Sequence, residues 1–360
     1  MRFVLRSRES RWLAPTAVGV AVLLTLLLTA GPIRLAGAAP VAAFERYVVT
    51  PLTTANGLAE VLLAATPLLF TGLAVAIAFR VGYYNIGAEG QFLAGAMATT
   101  AVALSLPDLP AVAALPVGLV AGALGGVAWA FLPAFLRRRA GIDEVVTTLL
   151  LNPVAVLLLQ GLLNGPWRNP ETGFPDSERF GSGYELPSLF GSRVHAGLLL
   201  GLVLVAVTTV VLLATPLGVR LRAAGQSPSA AEFSGVPVGL LQWRSALVSG
   251  ALAGLGGASQ VMGVQHQLTG SLAAGYGYTG VVVATLGGLS ALGVLAVALL
   301  LGDVQVGAQN ASIKLQLPGQ MGGVLTSVLL LTVVAALSVR HYRLVRRTPR
   351  TPQSLRAGEG

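Results

Sequence analysis

Long uncharged apolar stretches recur along the chain and set its predicted architecture. A helix that crosses the roughly 30 Å hydrocarbon layer of a membrane needs about 20 apolar residues, and helices satisfy their own backbone groups there. We predict ten such helices, because glycines break residues 275–303 into two segments that meet at a turn. The other eight apolar stretches are 12–33, 55–79, 86–105, 110–135, 145–163, 196–214, 245–264 and 322–340.

The composition supports an all-α, polytopic transmembrane helix bundle. Of the 360 residues, 54% are hydrophobic and only 10% are charged, which is too apolar for a soluble domain. The sequence contains no cysteine, so disulfides and thiol chemistry are excluded. Glycines repeat every four residues at 118, 122 and 126, and again at 250 and 254, a spacing that lets helix backbones approach closely.

The positions of the basic residues predict the topology. The formal net charge is +9, and basic residues gather beside the apolar stretches at 2–11, 137–139, 220–244 and 340–356. Such clusters mark the cytoplasmic side of membrane segments, so we expect a multi-pass protein of the cell membrane with both termini cytoplasmic. Ten spans place every cluster on one side, whereas nine would not. No basic face is interleaved with aromatic residues, which argues against nucleic acid as a partner.

These clusters divide the chain into regions. We expect a cytoplasmic basic N-terminus over residues 1–11 and a transmembrane domain over 12–340. A cytoplasmic region, residues 215–244, interrupts that domain, and a hydrophilic connection, 164–195, lies on the outside. Residues 341–360 are predicted to form a disordered basic cytoplasmic tail, attracted to the lipid bilayer.

Polar residues at the start of the third stretch are the first candidate functional residues. Asn85, Glu89 and Gln91 lie beside two glycines. Ionisable and amide groups at membrane depth usually face the interior of a helix bundle or a water-filled path. The alternative is that Glu89 lies at the membrane interface and interacts with a helix N-terminus.

A second polar group precedes the fifth stretch. Asp143 and Glu144 stand ahead of the apolar run, and we expect both to cap the helix. Asn152 lies deeper in the same helix and is the better candidate for lining a path. Gln160, Gln260 and Gln305 are weaker candidates of the same kind.

Catalytic interpretations find little support. The three histidines form no HExxH pair, no GxSxG motif occurs, and the single lysine, Lys314, is not part of a phosphate-binding loop. The sequence therefore offers no site for ATP hydrolysis, and any ATP hydrolysis that drives this protein would occur on another chain. No cofactor or metal is expected. One alternative is a secondary transporter that uses Glu60 and Glu89 as ion sites, and another is a polytopic membrane enzyme.

Three segments carry a family resemblance. Residues 84–91 (YNIGAEGQ), 143–152 (DEVVTTLLLN) and 275–280 (GYGYTG) resemble the nucleoside and simple-sugar group of ABC importer permeases, a group related to branched-chain amino acid and ribose permeases. The external tripeptide at 165–167 (GPW) does so too. The similarity runs from about residue 55 to 340. Residues 287–292 (GGLSAL) depart from it, because relatives often carry a charged or amide residue there.

The resemblance implies a partner set and a fold. It implies a vitamin-B12-permease-like (type II importer) bundle that forms a path for nucleosides or simple sugars. A second permease subunit, related but not identical, a cytoplasmic ABC ATPase and an extracytoplasmic substrate-binding lipoprotein would complete the transporter. The path would pass Asn85, Glu89, Gln91 and Asn152.

The resemblance also settles the role of the polar stretch 222–235, which by itself reads either as a loop or as a short helix offered to a partner. It implies a coupling helix that docks into the ATPase. The residues that match the family pattern are Gly225, Ala231, Glu232 and Gly235.

Overall fold

The computed structural model describes residues 2–5, 13–189, 191–315, 318 and 320–345. Helices dominate this part of the chain, as predicted. In chain order they are α1 (Leu13–Leu35), α2 (Pro40–Phe44), α3 (Ala55–Arg80), α4 (Ala88–Ser105), α5 (Ala111–Ala140), α6 (Glu144–Asn164), α7 (Gly197–Ala214), α8 (Pro216–Gln226), α9 (Pro228–Phe233), α10 (Val238–Gln260), α11 (Tyr276–Leu286), α12 (Ala291–Leu315) and α13 (Gln320–His341).

Shorter elements join these helices. Two π-helical turns (Glu45–Val49 and Val261–Gln265) and three 3₁₀ turns (Thr50–Thr53, Ser182–Tyr184 and Gly270–Leu272) occur in the described chain. The chain separates into two compact units, residues 1–40 with 323–360 and residues 41–322.

The smaller unit holds α1, most of α13 and a pair of strands. Thr25 Oγ1 of α1 lies 2.7 Å from Thr332 Oγ1 of α13, a buried hydrogen bond. Strand β1 (Arg2–Leu5) pairs antiparallel with β2 (Tyr342–Val345). In the predicted disordered tail, His341 ends α13 and the next four residues form β2, and the remainder, 346–360, lies outside the described residues.

The core of the larger unit is a close packing of α4, α5 and α10. A Cβ at Gly126 would collide with the backbone of Gly250, a Cβ at Gly95 with that of Gly254, and a Cβ at Gly254 with the carbonyl oxygen of Gly122. Backbones in such contact gain dispersion energy along their whole length, which substitutes for a hydrophobic driving force between helices in lipid. The glycine repeat that the sequence contains is thus the contact surface of α5 with α10.

Helix α3 runs through the bundle and is buried over most of its length. It packs against α10, α11 and α12. Helix α11 has 11 residues, about 16 Å at 1.5 Å per residue, and cannot cross a membrane by itself. A turn at 287–290 joins it to α12, so the predicted break within 275–303 is confirmed. Helix α12 is longer than expected, because the polar residues 308–312 continue the helix to Leu315.

The predicted polytopic helical bundle is confirmed, but the count of ten spans is not. Among the described residues, six helices are long and apolar enough to cross a membrane by length and composition. A seventh arises if the pair Leu23–Leu35 and Pro40–Thr53 is counted as one broken span.

The larger unit has two ends that differ in chemistry. We call the end formed by residues 80–87, 137–144 and 215–244 the arginine end, and the end formed by 106–110, 164–196 and 261–275 the loop end. Helix α5 runs from the loop end to the arginine end, where Arg137, Arg138 and Arg139 occupy its last turn and complement its dipole. Gly141 then takes a left-handed conformation with φ 66° and ends the helix.

Candidate substrate path and coupling segment

The segment between α3 and α4 is fixed by side chains of α6. Tyr84 N donates to Glu144 Oε1 at 3.2 Å and Ile86 N donates to Thr148 Oγ1 at 3.2 Å. Asn152 Nδ2 donates to Ile86 O at 2.9 Å, and Asn152 Oδ1 accepts from Gly90 N at 2.9 Å. Residues four apart lie on one face of a helix, so one stripe of α6 binds an extended backbone that has no partner of its own.

Glu144 therefore differs from its predicted role. Asp143 caps α6 as expected, because its Oδ1 accepts from Val145 N at 2.7 Å and from Val146 N at 3.3 Å. Glu144 is buried and instead forms an ion pair with Arg137, with Nε and Oε2 3.2 Å apart. Its second oxygen accepts from Tyr84, so this carboxylate links α5, α6 and the start of α4.

Asn85 and Gln91 bind each other and reach two more helices. Asn85 Nδ2 donates to Gln91 Oε1 at 2.9 Å and to Ser249 Oγ of α10 at 2.8 Å. Asn85 Oδ1 accepts from Gly87 N at 2.9 Å and from Gln91 Nε2 at 3.1 Å. Ser249 in turn donates to Ala74 O of α3 at 2.6 Å. Sequence reasoning missed Ser249, because a lone serine in an apolar helix carries no distinguishing pattern.

Glu89 caps the half-length helix α11. Its Oε1 accepts from Gly275 N at 3.0 Å and its Oε2 from Gly277 N at 2.6 Å. The side chain is 2% exposed, and no basic group in the described chain pairs with it. The free N–H groups and the dipole of a helix N-terminus stabilise the carboxylate in place of a counter-ion. The helix-dipole alternative therefore has the correct chemistry, with the helix being α11.

The structure brings the four predicted path residues together at the N-terminus of α4. All four are buried, at 0% to 2% exposure, and their side chains bond to α10, to α11, to the segment 86–90 or to each other. Their contact with a transported solute stays a prediction. What they do in this conformation is hold α4 in place.

The predicted coupling residues lie on α8, α9 and the turn that follows, at the arginine end. Ala231 is buried in one cluster with Ala78 and Val81 from the end of α3. Gly225 packs directly on the backbone of Arg80, where a Cβ would not fit. Gly235 has φ 81° and ends the segment, and Glu232 is exposed. The short helix bounded by Pro228 and Gly235 is present.

Phe233 is a further residue on this segment. Its side chain is 96% exposed, the most exposed of the large hydrophobic side chains in the described chain. It sits next to exposed Glu232 at the tip of α9, outside the apolar stretches. An aromatic side chain this exposed at the surface is typical of a contact with a partner.

A polar cavity of about 420 Å³ opens at the loop end. It lies between α3, the connection 182–195 and the segment after α10, and its polar lining is Ser182, Glu185, Ser188, Arg193, His195 and His266. Arg193 Nη1 lies 2.8 Å from Glu60 Oε1, which ties the connection to α3. Sequence reasoning considered the histidines only as metal ligands and missed that two of them share this cavity.

His195 is buried in the wall of the cavity. Burial lowers its pKa from 6.5 to about 4, and the neighbouring His266 lowers the pKa further in the same direction. The ring is therefore neutral at physiological pH. Gly197 N donates to its Nδ1 at 3.2 Å, so the ring proton resides on Nε2. That Nε2 has no hydrogen-bond partner in the described structure.

Asp303 was not identified from the sequence. It lies within α12, is 4% exposed, and its Oδ1 has no partner in the described part of the chain. A buried acid in an apolar helix is the signal that would have found it.

Comparison with known proteins gives the family. Residues 57–334 match the family model described as branched-chain amino acid transport system / permease component. The glucose ABC transporter permease protein TsgB13 of Haloferax volcanii is 35% identical over 344 residues, which are 92% of this chain and 90% of that protein. The guanosine ABC transporter permease protein NupP of Bacillus subtilis is 32% identical, over 78% of this chain and 82% of that protein.

The nucleoside ABC transporter permease protein NupB of Lactococcus lactis is 30% identical, over 80% of this chain and 82% of that protein. Bacillus subtilis and Lactococcus lactis each also have a second permease of the same description, at 26% and 27% identity to this chain, respectively. The family match covers most of the chain, and the relatives match over most of their own length. The chain belongs to the branched-chain amino acid transport system permease family and is a non-catalytic transmembrane permease subunit of an ABC importer, whose ATP is hydrolysed by a partner ATPase.

Proposed function

We propose that this permease carries nucleosides, with simple sugars as the second candidate substrate class. The proposal rests on the relatives' names, because two of the three are described as guanosine or nucleoside permeases. The sugar candidate rests on the glucose permease, whose identity to this chain is 35%. Both classes are neutral polyhydroxylated molecules, so one kind of path chemistry serves either.

The proposed assembly has four kinds of component. A related, non-identical second permease subunit pairs with this chain, a cytoplasmic ABC ATPase drives the transporter, and an extracytoplasmic lipoprotein delivers substrate to the loop end. The two permeases of matching description in each of two bacteria support the unlike pair.

The proposed topology puts the arginine end and both termini in the cytoplasm. We propose ten membrane segments in a vitamin-B12-permease-like arrangement, one for each apolar segment of the sequence, with α11 as a half-length segment. Within it, residues 1–11 are a cytoplasmic extension, 12–340 the membrane domain, 215–244 the cytoplasmic coupling region and 341–360 a basic tail.

The coupling segment is proposed to dock α9 into the ATPase. Exposed Glu232 and Phe233 would meet the partner, while buried Ala231 and the close contact of Gly225 with Arg80 join the segment to the end of α3. A rigid-body shift of α8 and α9 would then move α3 and the 84–91 segment with it. A rigid-body movement of this kind alternates access to the path between the two sides of the membrane.

The path is proposed to pass Asn85, Glu89, Gln91 and Asn152. Their present hydrogen bonds support a positioning role, in which they hold the N-terminus of α4 and the half-length helix α11 in one arrangement. Rearrangement of these bonds during the ATP-driven cycle would open the path at the arginine end.

Uptake by living cells tests the substrate class. Radiolabelled guanosine, adenosine, uridine, ribose, galactose and glucose are offered to cells with and without the gene, and initial rates are compared. Loss of nucleoside uptake alone supports the proposal, and loss of sugar uptake alone selects the second candidate. Equal uptake of all six by both strains would contradict both.

A further inference from the structure

The unsatisfied polar groups of the larger unit are not at the predicted path residues. Asn85, Glu89, Gln91 and Asn152 all have hydrogen-bond partners within the chain. Of the nine buried side-chain atoms without a partner in the described structure, four belong to Arg80, Tyr83, Trp129 and Asp303. The other five belong to His195, Ser259, Gln260, Gln265 and His266. Four of these residues lie in one short stretch at the loop end of α10, and His195 packs against that stretch at Gly263.

A buried polar atom without a partner costs about 1–3 kcal/mol, so proteins rarely retain several close together. Two of them, Nε2 of His195 and Nδ1 of His266, belong to residues that line the loop-end cavity. His195 itself is 2% exposed. Its Nε2–H is a buried donor without a partner in this conformation, so a ligand in the cavity reaches it only after a small shift of the cavity wall.

The backbone around the cavity is also irregular. Residues Val261–Gln265 form a π-helical turn, and His266 follows in the left-handed region with φ 53°. π-helical turns and left-handed non-glycine residues cost free energy and concentrate at functional sites. The ring of His195 is held between Gly197 and Gly263, where any side chain would collide with it, so its orientation is fixed.

The charges of the cavity indicate a neutral ligand. Arg193 is paired with Glu60 at 2.8 Å, and Glu185 lies 3.9 Å from Arg179. The remaining polar lining consists of serine hydroxyls and imidazoles, which both donate and accept hydrogen bonds. A volume of about 420 Å³ is within the range of small-molecule pockets.

We propose that the loop-end cavity is a binding site for the transported solute, a neutral polyhydroxylated molecule such as a nucleoside or sugar, and that His195 donates its Nε2–H to it. This inference rests on the proposed function and adds the site at which the permease first contacts its substrate. His266, Ser182 and Ser188 supply further hydrogen bonds around the ligand.

A cysteine-protection experiment tests the site in the complete transporter. This chain has no cysteine, so Val264→Cys in the cavity wall gives it a single labelling position, which is read on the separated chain, and Thr172→Cys on the same external connection is the control. We expect saturating guanosine or glucose, whichever the wild type transports, to slow maleimide labelling of residue 264 at least about threefold and not that of residue 172.

His195 is then replaced in the Val264→Cys background. His195→Phe removes the donor, and we expect the half-protecting concentration to rise about threefold to tenfold, the value of one neutral hydrogen bond. His195→Gln retains an N–H donor and is expected to remain within about twofold of the parent, as is Glu171→Gln elsewhere on the connection.

Each result has a defined meaning. If the wild type transports guanosine or glucose but neither slows labelling of residue 264, the site is wrong while the proposed function stands. Equal half-protecting concentrations in His195→Phe and the parent would overturn the role of His195, and the protection result stands without that variant if it fails to fold. If the wild type transports neither probe, another transported member of the six solutes replaces them, and transport of none of the six overturns the proposed function.

Discussion

At the scale of single residues, the polar groups of this membrane protein mostly bind backbone. Asn152 is the clearest example, because its one amide satisfies Ile86 O, in a segment that belongs to no helix or sheet, and Gly90 N, in the first turn of α4. Glu89 does the same for the first N–H groups of α11. In an apolar interior an unpaired backbone group is costly, so irregular backbone requires such side chains.

Replacing Asn152 with alanine should therefore destabilise the protein. Two buried backbone groups lose their partners, and we expect a loss of about 2 kcal/mol, a value limited by the modest worth of hydrogen bonds in membrane bundles. The measurement is the thermal midpoint of the detergent-solubilised transporter. Asn164→Ala on the same helix is the control, because Asn164 Nδ2 bonds an exposed carbonyl. Equal midpoints for the two variants would contradict the role given to Asn152.

His195 should make the stability depend on pH. Its folded-state pKa, about 4, is below its ordinary value of 6.5, so the unfolded chain binds a proton first as the pH falls. The contribution of His195 to the free energy of unfolding is fully present above pH 6.5 and is lost as the pH falls toward 4. Between about pH 7 and about pH 5 the loss should be roughly 2 kcal/mol. His195→Gln should lack this component in thermal unfolding, and an identical pH profile for both proteins would refute it.

The residue types of the site could be identified from sequence, but their partners could not. Amides and acids in apolar stretches are conspicuous, so Asn85, Glu89, Gln91 and Asn152 were found and do come together. Glu144 was assigned to capping because it precedes a helix, whereas tertiary contacts with Arg137 and Tyr84 determine its role. His195 and His266 escaped notice because only the fold brings them to one cavity.

At the scale of helices, small residues and breaks determine the packing. The four-residue spacing of the glycines in α5 predicted a close helix contact, and these glycines do contact α10. The half-length helix α11 was also readable, because glycines at 275, 277, 280, 287 and 288 interrupt the apolar run. The continuation of α12 to Leu315 could not be predicted from the sequence. Gln309, Asn310 and Ser312 are typical of a loop, and only the neighbouring elements show that they are helical.

Gly254→Ala should disrupt the packing of α10. A Cβ at this position would collide with the carbonyl oxygen of Gly122 and lie 3.0 Å from Gly126 Cα, so the helices must separate. We expect a loss of about 1–3 kcal/mol, as in overpacked cores. Gly161→Ala is the matched control on α6, because nothing lies within 4 Å of its Cβ position and alanine favours the helix. A thermal midpoint for Gly254→Ala at or above that of the control would contradict the packing account.

Phe233→Ala should weaken binding of the ATPase without affecting folding. The ring is 96% exposed, so its removal creates no cavity, whereas loss of a central aromatic contact typically costs about 2 kcal/mol or more of binding free energy. We expect the affinity for the ATPase, measured by titration into the solubilised permease pair, to fall more than about tenfold. Phe174→Ala at the loop end, where Phe174 is 67% exposed, should bind normally. Equal affinity of both variants would exclude α9 as the docking helix.

At the scale of the whole molecule, the four predicted path residues near the arginine end are hydrogen-bonded within the chain. Five residues at the loop end, as well as Arg80, Tyr83 and Trp129 near the arginine end, have a buried side-chain atom without a partner in the described structure. The close contact of Gly225 with Arg80, and the apolar cluster that Ala231 shares with Ala78 and Val81, join the exposed α9 to the segment that holds the path residues. An element moved by a partner at one end can therefore alter the hydrogen bonds that fix α4 and α11.

Composition and charge alone predicted a polytopic bundle, and the resemblance predicted its family. The number of spans follows from neither, since α11 is too short to be counted by length.

Transport by the complete transporter in sealed vesicles is the measurement closest to the central claim. The permease pair, ATPase and binding lipoprotein are reconstituted, with ATP supplied on the side of the arginine end and labelled guanosine on the side of the loop end. The account predicts uptake that requires ATP hydrolysis and survives collapse of the proton gradient. Uptake without ATP that is abolished by a proton ionophore would contradict it and support the ion-gradient transporter instead.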